Sequence, residues 1–289
     1  MNHSFVNTGG VPSPKDKRDF KLDRVIKLVG AAEIIPSSYF TDISKLPVLY
    51  QGKQPSCIGH ATASGMMAQD DGAYSFDYSP RFIYALCKRD DGIPEVEGTY
   101  YRQGFKEAQL YGVCDNAQHP NDIELDKRLY KDAFLISSES FRVAQDRKVK
   151  SYVALNDLSF DGIKKAIYEN GLVLLGVHVG NEWWTAPNGN SSWQEADILP
   201  LRPPKVRISG HAILAYGYDE NYIYFRNSFG STWGREGDGY FGANYASQVY
   251  EGWIFKDLAP EVVAEMKRKI GILQKILEIY KKIFELKGR

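Results

Sequence analysis

The feature that most constrains the fold is a turn-rich loop that runs directly into a segment of small residues. The loop, residues 50–56, contains Gly52 and Pro55, and the segment at 57–69 has helical character and ends before two aspartates and a glycine. Because small side chains let neighbouring elements approach closely, we expect this helix at the centre of the fold. Its small residues are Gly59, Ala61, Ala63 and Gly65.

A cysteine stands where the loop meets the helix. With Ser56 as N-cap, Cys57 is the first helical residue, and its thiol lies at the positive end of the helix dipole. That position lowers the pKa of a thiol. Gln51 brings an amide donor on the same loop, and a thiolate beside a fixed N–H donor suits acyl-transfer chemistry. Since most lone cysteines are simply small buried residues, the interpretation depends on a base elsewhere in the chain.

His211 is the candidate base, at the head of an apolar segment that we expect to be a strand. Asn227 follows 16 residues later, across a turn at 219–221, so a hairpin would bring it back to the histidine. An asparagine carbonyl that accepts from one ring nitrogen fixes the tautomer and leaves the other nitrogen for a thiol. We expect Phe229 and Trp233 to shield this hydrogen bond from water.

The composition excludes several classes of function. Lys plus Arg and Asp plus Glu both number 36, so we expect no nucleic-acid partner. No run of 18 apolar residues is present, so no transmembrane segment is expected. The polar start, residues 1–23, has no apolar h-region, so we expect no signal peptide. Cytoplasmic localisation is the default, and a phage particle or release by lysis stays open.

Cysteine usage points away from a disulfide framework. The chain has three cysteines, and with Cys57 as a free thiol, Cys87 and Cys114 are expected to be inert buried thiols, although their pairing stays open. We expect no metal site and no cofactor.

The order of elements divides the chain into a helical first half and a β-rich second half. Expected helices lie at 57–69, from 80 to Cys87, at 99–111, near 121–133 and at 159–170. Expected strands lie at 140–144, 151–154, 172–179, 211–218, 222–227, 239–243 and 252–255. A long loop at 180–206 is typical of a functional loop or lid.

The last 30 residues have a different character. Residues 260–289 carry apolar side chains at the three-and-four spacing of an amphipathic helix. Docking on the body of the protein, self-association through a coiled coil, and binding to a membrane surface or another partner all stay open.

Together these residues resemble the papain-like cysteine peptidases. The order Gln, Cys, His, Asn agrees with that family, and so do the six residues from Gln51 to Cys57 and the 154 from Cys57 to His211. The resemblance covers about residues 40–256. The motifs that carry it are Gln51-Gly52-x-x-x-Ser56-Cys57, Gly210-His211-Ala212 and Asn227-Ser228-Phe229-Gly230-x-x-Trp233-Gly234.

The resemblance implies an α+β, papain-like two-lobe fold with the active cleft between the lobes. The helical left lobe would span about 40–134 and the β-barrel-like right lobe about 135–256. An N-terminal arm, 1–39, would precede them, and a C-terminal amphipathic helix at 257–289 would serve as a docking or oligomerisation element. Because fewer than 50 residues precede the cysteine motif, we expect the prokaryotic or phage-type branch of the family, without a long prosegment.

The resemblance also implies roles for single residues. Cys57 would be the nucleophile, His211 the base that later protonates the leaving amine, and Asn227 the group that orients His211. Gln51 and the Cys57 N–H would form the oxyanion hole, and Cys57 and His211 would rest as a thiolate–imidazolium pair. The substrate-binding residues would be Gly98, Thr99 and Gly210.

Two positions depart from the family pattern. The family has tryptophan after the nucleophile, where this chain has Ile58, and tryptophan again where Phe229 stands.

The leading functional hypothesis is a cysteine endopeptidase that acts on peptide or protein substrates through a thioester on Cys57. Two alternatives stay open. One is an acyl transferase or peptide ligase that uses the same site. The other is a papain-fold structural or binding subunit, held in a larger assembly or homo-oligomer through residues 260–289.

Overall fold

The computed structural model describes residues 8–16, 34–70, 77–121, 133–183 and 201–256. The described α-helices are α1 (Cys57–Gln69), α2 (Pro80–Asp90), α3 (Tyr101–Leu110), α4 (Ser138–Ala144) and α5 (Phe160–Asn170). The described strands are β1 (Gly10–Val11), β2 (Tyr39–Phe40), β3 (Thr99–Tyr100), β4 (Ser151–Ala154), β5 (Val173–Val179), β6 (Ser209–Tyr218), β7 (Tyr222–Arg226), β8 (Asp238–Gly242) and β9 (Val249–Lys256). Short 3-10 helices span Asn181–Trp183 and Ala243–Gln248.

One antiparallel sheet dominates the second half of the chain. Its strand order is β4-β9-β5-β6-β7-β8, and β2 pairs with β6 beside this path. The long β5–β6 pairing places His211 opposite Val177. Within the described residues the path is open, with β4 and β8 at its ends, so the barrel-like closure that we expected for this half is not found.

The sheet lies in the interior of the protein, and each of its faces packs against a cluster of buried side chains. β5 is a near-continuous apolar run that is buried on both faces. One core cluster joins the sheet to α1 and α3, and it includes Cys57, Phe105, Leu214 and Phe255. A second cluster, around Trp183, lies on the opposite face beside α5.

The small residues of α1 give this helix its central place, as the sequence predicted. A Cβ atom at Gly65 would overlap the Phe255 ring, so the sheet packs directly on the helix backbone there. A Cβ at Gly59 would stand 3.0 Å from the Cβ of Tyr84 on α2. Cys57 is therefore held between a helix on one side and the sheet on the other.

Residues 140–144, which we expected to form a strand, belong to helix α4. The Ser137 side chain caps the helix by accepting a hydrogen bond from the Ser140 N–H at 3.0 Å. An ion pair between Glu139 and Arg142, which are three residues apart and 2.6 Å from each other, also stabilises the helix. The helix expected at 99–111 also begins later, because Thr99 and Tyr100 form β3.

Three expected elements lie wholly or mostly outside the described residues: the helix near 121–133, the 180–206 loop and the C-terminal helix at 257–289. The boundary between two lobes near residue 134 stays a prediction. In the part of the chain that the structure describes, no helix has the length and apolar character needed to cross a membrane.

Candidate active site

Cys57 is the first residue of α1 and is completely buried. Ser56 precedes it but does not cap the helix through its side chain, contrary to our expectation. Its hydroxyl lies 3.2 Å from Nδ1 of His60 one turn along, so the side chain is held there instead. The position of Cys57 at the helix start is therefore as predicted, although the cap is not.

Gln51 is fixed by a short backbone ladder that joins the cysteine loop to the segment after Asn227. The Gln51 N–H donates to the Ser228 carbonyl at 2.9 Å, and the Gly230 N–H donates to the Leu49 carbonyl at 3.1 Å. The Ser228 hydroxyl donates to Oε1 of Gln51 at 2.6 Å. This hydrogen bond sets the orientation of the Gln51 side-chain amide, because it fixes Oε1 on the side of Ser228 and Nε2 on the opposite side. Sequence reasoning missed Ser228 as part of the site.

The two donors expected of an oxyanion hole meet at one carbonyl oxygen. The Cys57 N–H donates to the Thr8 carbonyl at 3.3 Å, and Nε2 of Gln51 donates to the same oxygen at 3.2 Å. The second amide hydrogen of Gln51 goes to the Gln54 carbonyl, at 2.8 Å. A preset pair of N–H donors on one oxygen is the arrangement that stabilises a developing oxyanion.

His211 and Asn227 form the hydrogen bond that the sequence predicted. Nε2 of His211 lies 2.7 Å from Oδ1 of Asn227, and the same oxygen accepts from the Ser228 N–H at 2.8 Å. Since this oxygen only accepts, Nε2 carries the hydrogen. Nδ1 of His211 has no hydrogen-bond partner among the described residues. Its lone pair is therefore available to take a proton from a thiol.

Aromatic rings surround the His211 imidazole. Phe229 stacks on it at 4.7 Å between ring centroids, and Trp183 meets it edge-on at 5.5 Å. Trp233 stacks on Trp183 at 5.6 Å and donates its indole N–H to the Trp183 carbonyl at 2.8 Å. Trp233 therefore supports the shield through Trp183. Sequence reasoning missed the role of Trp183, which follows shortly after β5 at the start of the expected 180–206 loop.

The charge state of the pair differs from the expected thiolate–imidazolium. Burial raises the pKa of the Cys57 thiol to about 12, although the N–H groups of Ala212, Ile58 and Cys57 itself lower it. Burial lowers the pKa of His211 to about 4, against the Asn227 hydrogen bond that raises it. Both groups are therefore neutral at pH 7 in this conformation, because neither has access to water.

The N-terminal segment excludes that water. Residues 8–13 belong to the N-terminal arm expected at 1–39, and from here on we call them the arm. They lie in the cleft beside Cys57. β1 of the arm pairs in parallel with β3, and the Thr99 N–H donates to the Gly9 carbonyl at 3.0 Å. The Thr8 hydroxyl donates to the Gly210 carbonyl at 2.5 Å. A Cβ at Gly98 would overlap the Gly9 backbone.

The three residues expected to bind substrate backbone, Gly98, Thr99 and Gly210, thus all contact the arm. Thr8 of the arm is completely buried. No motif in the sequence marked it. No cluster of three or more metal-ligating side chains occurs in the described part of the chain.

Comparison with solved structures supports a papain-like fold. No protein-family model and no curated protein sequence matches this chain. The structure of xylellain, a cysteine protease from Xylella fastidiosa, superposes with a TM-score of 0.71 at 21% identity, covering 90% of this chain and 99% of that one.

Two further structures are similar at lower identity. The digestive procathepsin L2 proteinase of Tenebrio molitor has a TM-score of 0.62 and 17% identity, covering 87% of this chain and 78% of that one. The bromelain protease of Ananas comosus has a TM-score of 0.58 and 14% identity, covering 77% of this chain and 99% of that one. At these identities the comparison establishes the fold, and the chemistry depends on the site itself.

Proposed function

We propose that this protein is a papain-like cysteine peptidase that hydrolyses peptide bonds through a thioester on Cys57. The main support for this proposal is a pair of hydrogen bonds to one atom. The Thr8 carbonyl oxygen accepts from both the Cys57 N–H and Nε2 of Gln51. A carbonyl held by two N–H donors beside a cysteine is in the position of a scissile carbonyl. The branch of the family, prokaryotic or phage-type, is part of the proposal.

The acylation step uses groups that are already oriented. Nδ1 of His211 takes the proton from the thiol, and the Cys57 sulfur attacks the substrate carbonyl carbon. The C=O π electrons move to the oxygen, which the N–H groups of Cys57 and Gln51 stabilise. As the tetrahedral intermediate collapses, the C–N bond breaks, the amine takes the proton from His211, and a thioester remains.

Deacylation reverses these roles with water. His211 takes a proton from the water as its oxygen attacks the thioester carbonyl, and the thiolate leaves with the bonding electrons. The proton then returns to the sulfur. The Asn227 carbonyl keeps the imidazole in the same tautomer through both steps. An amine in place of water would give acyl transfer, since the thioester is the same.

The arm has to leave the cleft before a substrate binds. It occupies the oxyanion donors and the Thr99 N–H, which are the groups a substrate backbone would use. Its displacement also returns water to Cys57 and His211, which removes the burial that keeps both neutral. The protein is therefore a self-covered peptidase whose activity follows the fraction of molecules with an open cleft.

Hydrolysis of an unstructured protein such as casein tests the proposal, with fragments identified by mass spectrometry. We expect cleavage by the wild type and none by Cys57→Ser or His211→Ala, while Asn227→Ala retains part of the rate. Cys87→Ser is the matched control, because Cys87 is also a free, completely buried cysteine but lies on α2.

The same assay separates the alternatives. Adding a primary amine gives amide products in place of acids if the protein is an acyl transferase. Equal activity of wild type and Cys57→Ser, or no activity under conditions that open the cleft, would reject catalysis through Cys57. It would favour a structural or binding subunit instead, and deletion of residues 260–289 with measurement of solution mass would then test its assembly.

A further inference from the structure

A second histidine, His60, lies three residues after Cys57 on α1 and is completely buried. The proposed mechanism does not use it. Burial lowers the pKa of its imidazole to about 4, although the carbonyl groups of Ser56 and Tyr50 raise it, so the ring is neutral at pH 7. A neutral imidazole has one N–H donor and one acceptor nitrogen, and both are costly to bury without partners. The partners of the two nitrogens therefore show what this side chain does.

Nδ1 of His60 contacts the peptide unit that supplies one donor of the oxyanion hole. It lies 3.0 Å from the Ser56 carbonyl oxygen, which can only accept, so Nδ1 carries the ring hydrogen and donates it there. The Ser56 hydroxyl, 3.2 Å from Nδ1, is a second acceptor for the same hydrogen. The His60 backbone N–H also donates to the Ser56 carbonyl, at 3.1 Å. Both lone pairs of that oxygen are therefore engaged by one residue.

Nε2 of His60 is then the acceptor, and the group beside it agrees with that assignment. Nδ2 of Asn121 lies 3.3 Å from Nε2 and 3.2 Å from the Tyr50 carbonyl oxygen. Because that carbonyl only accepts, the atom beside it is the amide nitrogen, which has one hydrogen for each partner. With the ring hydrogen on Nε2, two donors would face each other at Asn121 and two lone pairs at Ser56. The geometry therefore favours the Nδ1–H tautomer.

The carbonyl that His60 holds belongs to the same peptide unit as the Cys57 N–H. This unit is planar and trans, so its C=O and N–H point in opposite directions. A donor behind the Ser56 oxygen therefore fixes the direction in which the Cys57 N–H points into the cleft, towards the Thr8 carbonyl. Hydrogen bonds in such a chain also polarise one another, which makes the N–H a stronger donor.

We propose that His60 is a positioning residue for the oxyanion hole. Its Nδ1–H orients and polarises the Ser56–Cys57 peptide unit from the side opposite the cleft. Its Nε2 holds Asn121 against the carbonyl that precedes Gln51. His60 thus connects the two ends of the loop that supplies both oxyanion donors, and it acts through this loop. The inference rests on the proposed peptidase function and adds a residue to its machinery.

Two amide substitutions separate the roles of the ring nitrogens. The amide nitrogen of asparagine is as many bonds from Cα as Nδ1 is, and that of glutamine is as many as Nε2 is. His60→Asn therefore keeps the donor to Ser56, whereas His60→Gln loses it. We expect His60→Asn to keep kcat within about threefold of the parent protein and His60→Gln to lower it by roughly tenfold. A purely structural role predicts the reverse order, because glutamine is the better helix former.

Both variants are compared in the full chain with Gly9→Ala, because a weaker oxyanion donor also loosens the arm and would conceal part of the effect. In this background the added Cβ would overlap the Pro55 carbonyl, which disfavours the covered form. A peptide aldehyde reports on the oxyanion donors, since its oxygen binds there once the Cys57 sulfur has added to its carbonyl carbon. Its affinity should fall together with kcat in His60→Gln. Iodoacetamide alkylates the sulfur without forming an oxyanion, so its rate at Cys57 should stay the same.

Thr62→Val is the matched control. Thr62 is completely buried on α1, and its hydroxyl has no hydrogen-bond partner among the described residues. The control should leave kcat, aldehyde affinity and alkylation unchanged.

The outcomes separate this inference from the proposed function. Equal kcat of folded His60→Asn and His60→Gln, or an aldehyde affinity that does not follow kcat, overturns the role of His60 alone. The same loss in Thr62→Val also overturns it. No turnover by the wild type or by Gly9→Ala overturns the peptidase function itself. If His60→Gln does not fold, nitrogen NMR of the wild type decides: hydrogen on Nδ1 of His60 supports the proposed donor, and hydrogen on Nε2 excludes it.

Discussion

Replacing Gly9 by alanine should activate the protein. Gly9 has a φ of +97°, a region that L side chains rarely adopt, and its Cβ would overlap the Pro55 carbonyl group. Both costs apply only while the arm lies in the cleft. The displaced arm can adopt other backbone angles, so the substitution shifts the equilibrium towards the open form.

The size of the shift follows from these two costs. Holding a non-glycine residue at such a φ costs about 1–3 kcal/mol, and overpacking against fixed atoms costs a similar amount. A lower bound of about 2 kcal/mol corresponds to roughly a 30-fold increase in the open-to-covered ratio. While the covered form dominates, kcat/KM for a short peptide rises by the same factor.

The assay is kcat/KM with a fluorogenic peptide, together with hydrogen exchange of the Thr99 and Cys57 amides. Both N–H groups donate to the arm, at 3.0 and 3.3 Å, so both should exchange faster in the Gly9→Ala protein. Gly92→Ala is the matched control. Gly92 also has a positive φ, +74°, but a Cβ there meets nothing within 4 Å.

Two outcomes would show that the arm does not restrain the activity. One is unchanged or lower activity of Gly9→Ala with a normal melting temperature, and the other is equal activation by Gly92→Ala. Intact mass should be that of the full chain in both variants, because the expected activation comes from displacement of the arm and needs no cleavage after Thr8.

Further predictions concern the supports of the site. Gln51→Ala should lower kcat by on the order of 10²–10³-fold, whereas Ser228→Ala, which only loosens that amide, should cost about tenfold or less in steady-state assays. Burial raises the pKa of Glu107 to about 7, so the folded protein binds a proton that the unfolded chain releases near its ordinary pKa. Thermal stability should therefore fall as the pH rises from about 4.5 to 7, and less so in Glu107→Gln. The completely enclosed ammonium of Lys88 lies 2.8 Å from Asp91 and also donates to three carbonyls of the loop before β3. Lys88→Met should lower the free energy of unfolding by about 3–5 kcal/mol in chemical denaturation, with partial recovery on adding Asp91→Asn. Because the loop that Lys88 holds leads to Gly98 and Thr99, this substitution should also raise KM more than it lowers kcat.

The local chemistry around the site was predictable from the sequence. Small residues in 57–69 require close neighbours, which places that helix against the sheet. The turn at 219–221 makes the chain double back, so His211 and Asn227 meet at 2.7 Å. The first conclusion depends on the composition of one short segment, and the second depends on two residues that are only 16 positions apart.

The arm was not predictable in the same way. Thr8 contacts Gly210, which is 202 residues away in the sequence. The backbone of the arm also packs directly on the backbones of Pro55, Gly98 and Gly210, with no side chain between them. Residues 9 and 10 appear in the sequence only as a flexible pair of glycines. The expected low pKa of Cys57 failed for the same reason, because the burial that raises it comes partly from this distant segment.

In the proposed mechanism, Cys57 is a nucleophile that His211 activates once the arm leaves the cleft. The most direct measurement is labelling by a thiol-directed epoxide near pH 7, with the modified residue located by peptide mass spectrometry. We expect one adduct, on Cys57 and not on Cys87 or Cys114, formed faster in Gly9→Ala than in the wild type and lost in His211→Ala. Labelling that is absent from Gly9→Ala, spread over all three cysteines, or unchanged in His211→Ala would show that Cys57 is not such a nucleophile.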